Sequence, residues 1–254
     1  MNFLTRLLKS ITDFKFYQEF QKESIGKAFL YLIKLTIIFG TVSMVNPMLL
    51  FDRGIDQAQV FFQEKIPYFV FENGELNVSG EQPFIWEDEA KDLILVMDTS
   101  GRVGPEILAD YREGFYITKD HAVYKPNGIE KREFDFSQLK EAKFTKDDVA
   151  AWIPNLKWFG ILLVIFGLIA FLIGKIWSAL WIAVLGLLIC SGNYRFAELY
   201  KLSVYALTLP IIIKSVVVLL GIMIPWFGFI YYGIAGFYIW KAIESCNRNP
   251  ANFR

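Results

Sequence analysis

The chain has 254 residues, 54% of them hydrophobic and 20% charged, and its 26 basic side chains equal its 26 acidic ones. Soluble domains carry about 25% charged residues and roughly 45–50% apolar ones, so this balance excludes a disordered chain and points to a membrane protein. A nucleic-acid binder would need a basic excess, and a disulfide-stapled mini-protein would need more than two cysteines.

The neutrality conceals a division along the chain. Residues 1–50 carry 6 basic and 3 acidic side chains, residues 51–154 carry 12 and 21, and residues 155–254 carry 8 and 2. The middle therefore reads as an acidic, water-soluble unit between two basic membrane-embedded ones.

Residues 1–27 place Phe3, Leu4, Leu7, Leu8, Ile11, Phe14 and Tyr17 near helical spacing, with Arg6, Lys9 and Lys15 elsewhere. This predicts a basic amphipathic segment, either lying on the membrane surface or packed against the helices that follow. Residues 28–50 form a first span with Lys34 as its only charge; a bilayer core of ~30 Å needs about 20 apolar helical residues.

Residues 51–154 read as a small extracytoplasmic α+β domain. Gly54–Lys65 looks helical and extends the first span. Phe69 to Val78 alternate apolar and polar residues around Asn73-Gly74, a strong hairpin signal. Further strands are expected at Phe84–Trp86, Leu93–Met97, Gly114–Thr118, Ala122–Tyr124 and Glu133–Phe136. Short helices are expected at Gly104–Tyr111 and Lys146–Trp152.

Residues 155–245 read as a four-helix transmembrane bundle, followed by a polar tail at 246–254. The spans are Trp158–Gly174, Ile176–Tyr194, about Ser203–Met223 and about Trp226–Ala242. Lys175 is taken as the turn between the first pair, and Pro225 as the break between the last pair. The fold class is thus an α-helical integral membrane protein of about five transmembrane helices with an inserted α+β domain. Arg6, Lys9, Lys15, Lys22 and Lys27 put the N-terminus in the cytoplasm and residues 51–154 outside. Five spans then leave Arg195, Lys201, Lys241, Arg248 and Arg254 outside, against the same rule. A re-entrant 176–194 would return them to the cytoplasm.

Chemistry is sparse. Asp98-Thr99-Ser100-Gly101 lacks the spacing of an aspartic-protease carboxylate, and Arg102 stands where a metal loop of that type needs a hydroxyl. Asp98 then reads as the polar end of a strand. His121 is the single histidine, and no cofactor or metal site is expected. Lys214 lies near the middle of an apolar run without a carboxylate, and Pro210 in the same helix frees a backbone carbonyl. Lys214, Pro210, Tyr205 and Asp98 are the candidate ligand or partner contacts.

The pieces Phe16-Tyr17, Ile25 through Leu32, Asn73 through Leu76, Asp98 through Gly101 and Tyr205 through Pro210 fall in one order. That order resembles a domain-of-unknown-function family of bacterial integral membrane proteins, some labelled maltodextrin-utilisation protein MalA. The C-terminal helices are more distantly similar to Yip-type membrane proteins. The resemblance implies a multi-pass plasma-membrane protein and transfers no catalytic residue. The expected function is a non-enzymatic accessory or scaffold protein. Its expected partners are membrane lipid and a membrane protein, such as an ABC-type sugar transporter, and no nucleic acid. The alternative is a transporter or lipid-handling protein working through Lys214 and the Pro210 kink.

Overall fold

The computed structural model describes residues 2–190 and 194–247, so Arg248 and Arg254 of the polar tail lie outside the described residues. The chain divides into a helical unit, residues 1–53 and 157–254, and a second unit, residues 54–156.

The helical unit begins with α1 (Phe3–Thr12), a 3-10 turn at Phe14–Phe16 and α2 (Tyr17–Lys22). Asn2 caps α1 by accepting from the Thr5 N–H at 2.8 Å. Helix α3 (Ile25–Leu35) runs through a π-helical turn at Thr36–Gly40 into α4 (Thr41–Glu64). Gly40 allows a close approach there, because a Cβ would stand 2.8 Å from Leu168 Cδ2 and that side chain would have to move. The Ser43 hydroxyl, one turn before Pro47, lies within hydrogen-bond distance of the Phe39 carbonyl and of Ser215 Oγ, at 2.8 and 2.9 Å.

The expected turn at Lys175 does not exist. Lys157–Ile189 is one unbroken α-helix of 33 residues (α6), in place of two spans or a re-entrant segment. The physical reason is local. Gly174-Lys175-Ile176 contains no proline, one glycine costs a helix about 1 kcal/mol, and the lysine is buried between aromatic rings rather than released to water.

The next apolar run also differs from expectation. Helix α7 (Phe196–Ala206) and helix α8 (Thr208–Leu219) follow one helical path interrupted at Leu207. Pro210 lacks the N–H that would reach the Ala206 carbonyl, which explains an interruption at that level. The path ends before Pro225, and α9 (Phe227–Asn247) begins after it, so the expected break is present.

Tyr17, Phe20, Tyr31, Leu32, Ile182, Leu199, Tyr205 and Ile239 belong to one core of this unit. The outward face of α6 shows Trp158, Phe166, Ile173, Trp177 and Trp181 exposed. Three helical stretches, Ile25–Glu64, Lys146–Ile189 and Phe196–Leu219, are long and apolar enough to cross a membrane.

The second unit carries two sheets. Strands β1 (Phe69–Glu72) and β2 (Glu75–Val78) form the expected hairpin. Asn73 and Gly74 both have positive φ, 56° and 76°, as a type I′ turn requires. A short strand near Phe144, unforeseen in the sequence, pairs with the other edge of β1.

The larger sheet contains β3 (Phe84–Asp88), β4 (Leu93–Met97), β5 (Glu113–Ile117), β6 (His121–Lys125) and β7 (Arg132–Asp135), in that spatial order. Only β4 and β5 are parallel. Their connection crosses one face through a 3-10 helix, Pro105–Asp110, whose Leu108 is buried against Ile94, Val96, Tyr116 and Val123. Gly114 permits this, since a Cβ there would meet Leu108 Cδ2 at 2.7 Å. The opposite face packs Met97, Leu95 and Ile117 with Phe69, Phe71 and Phe136. Helix α5 (Lys146–Trp152) closes the unit, started by a capping box between Thr145 and Asp148.

Candidate functional site

Tyr205 sits at a junction of the N-terminal segment with α3 and α7. Its side chain has no exposure. Phe20 stacks on it at 3.7 Å, and Tyr31 lies 4.7 Å away. Its hydroxyl donates to Glu23 Oε2 at 2.7 Å, and Glu23 pairs with Arg6 at 2.9 Å. Lys201, one turn earlier on α7, donates to the backbone carbonyls of Gln21 and Glu23 at 2.5 and 2.8 Å. Tyr31 shares a 2.8 Å bond with Thr208, and Tyr17 donates to the Ser10 carbonyl at 2.7 Å. The polar groups of this junction are satisfied by one another, apart from Arg6 Nε, which is buried without a partner. The arrangement anchors the N-terminal segment to the helices, so the amphipathic stretch of the sequence is packed rather than free.

Pro210 and Lys214 lie one turn apart on α8. Pro210 is buried in its first turn, where a missing N–H is tolerated, while Lys214 is exposed. A further polar residue of this unit is Lys175, which lies within α6 and not in the expected turn. Lys175 is 6% exposed and donates to the Tyr231 hydroxyl at 3.0 Å. The rings of Phe171 and Tyr231 lie 4.7 and 4.3 Å from its ammonium. Ser178, on the next turn of α6, shares a 3.1 Å bond with Tyr232. The signal for Lys175 was the lack of a proline beside it, since Gly174 alone does not end a helix.

Asp98 belongs to the other unit and is not brought together with Tyr205, Pro210 and Lys214. It ends β4, 1% exposed. One carboxylate oxygen accepts from the Ser100 N–H at 2.8 Å and the Ser100 hydroxyl at 2.5 Å, and the other accepts from the Val103 N–H at 2.8 Å. Burial pushes this carboxyl up, but the hydrogen bonds from Ser100 and Val103 outweigh it and hold the group below the usual range. Both oxygens are occupied in folding their own loop.

His121 is held in the same manner. Asp120 Oδ1 and Thr118 Oγ1 both approach its Nδ1, at 2.7 and 2.9 Å. A relay of the Ser-His-Asp kind needs base and nucleophile on opposite ring nitrogens, so this trio is a turn clasp. The hydrogen bond from His121 holds the Asp120 carboxyl below its ordinary value. Among the described residues no three metal-ligating side chains gather, and the acidic run Glu87–Asp92 places Asp88 in a 3.1 Å pair with Lys91.

One open feature of this unit is aromatic. In the register of the larger sheet, Trp86, Leu95, Phe115, Tyr124 and Arg132 form a row on one face. Phe115 and Tyr124 stack at 4.4 Å with their planes 16° apart. Phe115 is 40% exposed, and Phe134, in the neighbouring row, is 44% exposed. Sequence alternation places these rings on one face but does not tell which part of that face stays uncovered.

The family model described as protein of unknown function (DUF1189) matches residues 4–243, and the chain belongs to that family. No curated protein and no solved structure matches the chain.

Proposed function

We propose that the chain is a non-enzymatic accessory protein of the bacterial plasma membrane, whose acidic insert docks a partner outside the cell through the row around Phe115 and Tyr124. The observation that carries this reading is the stacked, half-open pair itself. Large exposed aromatics are unusual on a solvated sheet and typical of recognition surfaces. Flat stacked rings with Arg132 at the end of the row suit an envelope carbohydrate or a protein of the sugar-uptake machinery. The resemblance to maltodextrin-labelled members supports an ABC-type transporter as the partner.

The membrane arrangement that fits is four crossings: the first span of the α3–α4 path, α6, the α7–α8 path and α9. Both termini are then cytoplasmic. This is supported by Gln18, which donates to the Ser245 carbonyl at 2.8 Å, and by Tyr238, which donates to the Ile11 carbonyl at 3.0 Å. The end of α9 therefore lies beside the N-terminal segment. Four crossings also move Arg195, Lys201 and Lys241 to the side of the basic N-terminal segment, removing the conflict with the positive-inside rule.

The test is photo-crosslinking in intact cells with a photoreactive residue at Phe115 or, on the opposite sheet face, at Glu133. One discrete adduct from position 115 and none from position 133 is expected. Equal or absent adducts at both positions would defeat the reading. A second reading, solute or lipid transport, is favoured by the exposure of Lys214 within an apolar helix; Lys214→Leu would abolish transport on that reading and leave the crosslink intact on the first.

A further inference from the structure

We propose that the cavity between α1 and α3 binds the phosphate headgroup of an anionic phospholipid. The cavity measures about 240 Å³ and is lined by Phe3, Arg6, Lys27, Leu30, Tyr31 and Lys34. Its composition follows from helix periodicity. Positions 27, 30, 31 and 34 share one face of α3, and positions 3 and 6 share one face of α1. Three cations thereby converge on one small space. Arg6 is partly neutralised by Glu23 at 2.9 Å. Lys27 and Lys34 are exposed, and among the described residues neither side chain has a hydrogen bond or an ion pair.

The second observation is an unmet donor. Arg6 directs its terminal nitrogens to Glu23 and Tyr205 at 2.9 and 3.4 Å, yet its Nε is buried without an acceptor. Leaving a buried charged donor unmet is costly, and an anion seated in the cavity beside this guanidinium would offset its charge. The third observation selects the source of that anion. Leu4 and Leu8 on α1, and Ile25, Phe29 and Leu30 on α3, are exposed. A cationic hollow beside bare apolar surface matches a headgroup joined to acyl chains. Drug-sized ligands occupy roughly 300 Å³ or more, so this cavity suits a headgroup whose chains lie outside it. Lys27 and Lys34 are about 10 Å apart along the helix at 1.5 Å per residue, so one side chain can meet the phosphate from the interface and the other from deeper along α3, as long lysine stems do at membrane boundaries. This site does not depend on the partner surface of the insert.

The test is native mass spectrometry of the full-length protein in neutral detergent with added phosphatidylglycerol or phosphatidylcholine. Retention of phosphatidylglycerol over phosphatidylcholine by roughly twentyfold is expected, since each of the two lysines near an anionic lipid adds about a fivefold gain in binding. Lys27→Gln with Lys34→Gln should reduce the preference to about that of a neutral surface. Lys27→Arg with Lys34→Arg should keep it, and so should Lys15→Gln with Lys22→Gln, which lie outside the cavity. Melting temperatures of all variants identify any that unfold. Equal retention of the two lipids by the unaltered protein overturns the proposal, as does a preference that survives in the glutamine pair. Displacement of the lipid by an equal concentration of inorganic phosphate overturns the assignment to a lipid.

Discussion

The ring of Phe20 lies flat on that of Tyr205, centroids 3.7 Å apart and planes within 8° of parallel, although 184 residues of chain separate them. Both rings are fully buried, and the Tyr205 hydroxyl reaches across to Glu23. This contact ties the basic N-terminal segment to α7, so the segment is part of the helical core. Phe20→Ala should therefore cost about 3–5 kcal/mol, the range for emptying a buried aromatic site. Tyr205→Phe keeps the stack and the Arg6–Glu23 pair but leaves Glu23 Oε2 without its donor, and should cost about 1–3 kcal/mol. Thermal unfolding in detergent would check the order, and limited proteolysis would show the N-terminal segment released first in Phe20→Ala.

Asp98 should act on stability and not on activity. Its folded-state carboxyl sits below the usual carboxylate value, so the stabilisation is fully present above the unfolded value near pH 4 and is lost as pH falls through the lower folded value. Asp98→Asn keeps one acceptor where the carboxylate supplies two, and should destabilise the second unit by about 1–3 kcal/mol at pH 7. The difference between variant and unaltered protein should shrink as the pH approaches the folded value from above. Fluorescence of Trp86, with the other six tryptophans replaced by phenylalanine, followed against denaturant at several pH values, would reveal either pattern.

What the sequence disclosed follows from how local each signal is. Asn73-Gly74 specifies its turn through the φ angles of those two residues alone, and the hairpin stands where expected. Pro225 ends a helix by the same kind of local rule. Lys175 misled because a charge beside a glycine reads as a loop, whereas the aromatic faces that shelter it come from Phe171 on its own helix and Tyr231, 56 residues away. Tyr205 was visible as a candidate, but its neighbours Phe20, Glu23 and Arg6 come from a segment whose attachment is tertiary. The open ring face of Phe115 was hidden for a related reason, since alternation in β5 gives the face and not what covers it.

Lys175 offers a direct comparison between a sheltered charge and an apolar substitute. Lys175→Met fills a similar volume without an ammonium to shelter, and replacing a buried charge in this way is often neutral or stabilising by about 1–4 kcal/mol. Tyr231→Phe removes the hydroxyl that accepts from the lysine at 3.0 Å and should destabilise by about 1–3 kcal/mol. The double variant should behave like Lys175→Met, because the hydroxyl then has no charge to serve. Melting temperatures for the four proteins form a double-mutant cycle. A large loss in Lys175→Met would instead make the ammonium itself a structural requirement.

The continuous α6 makes the proposed count of membrane crossings even, and that count is open to a labelling experiment. Two spans in place of α6 would put the end of α9 opposite the N-terminus, whereas one span puts them together. The Gln18–Ser245 bond favours the second arrangement. In a background with Cys190 and Cys246 replaced, Ser79→Cys in the insert should react with a membrane-impermeant maleimide in intact cells. Ser245→Cys should react only after permeabilisation. Labelling of both positions in intact cells would restore the odd count, and with it the conflict over Arg195, Lys201 and Lys241 that four crossings remove.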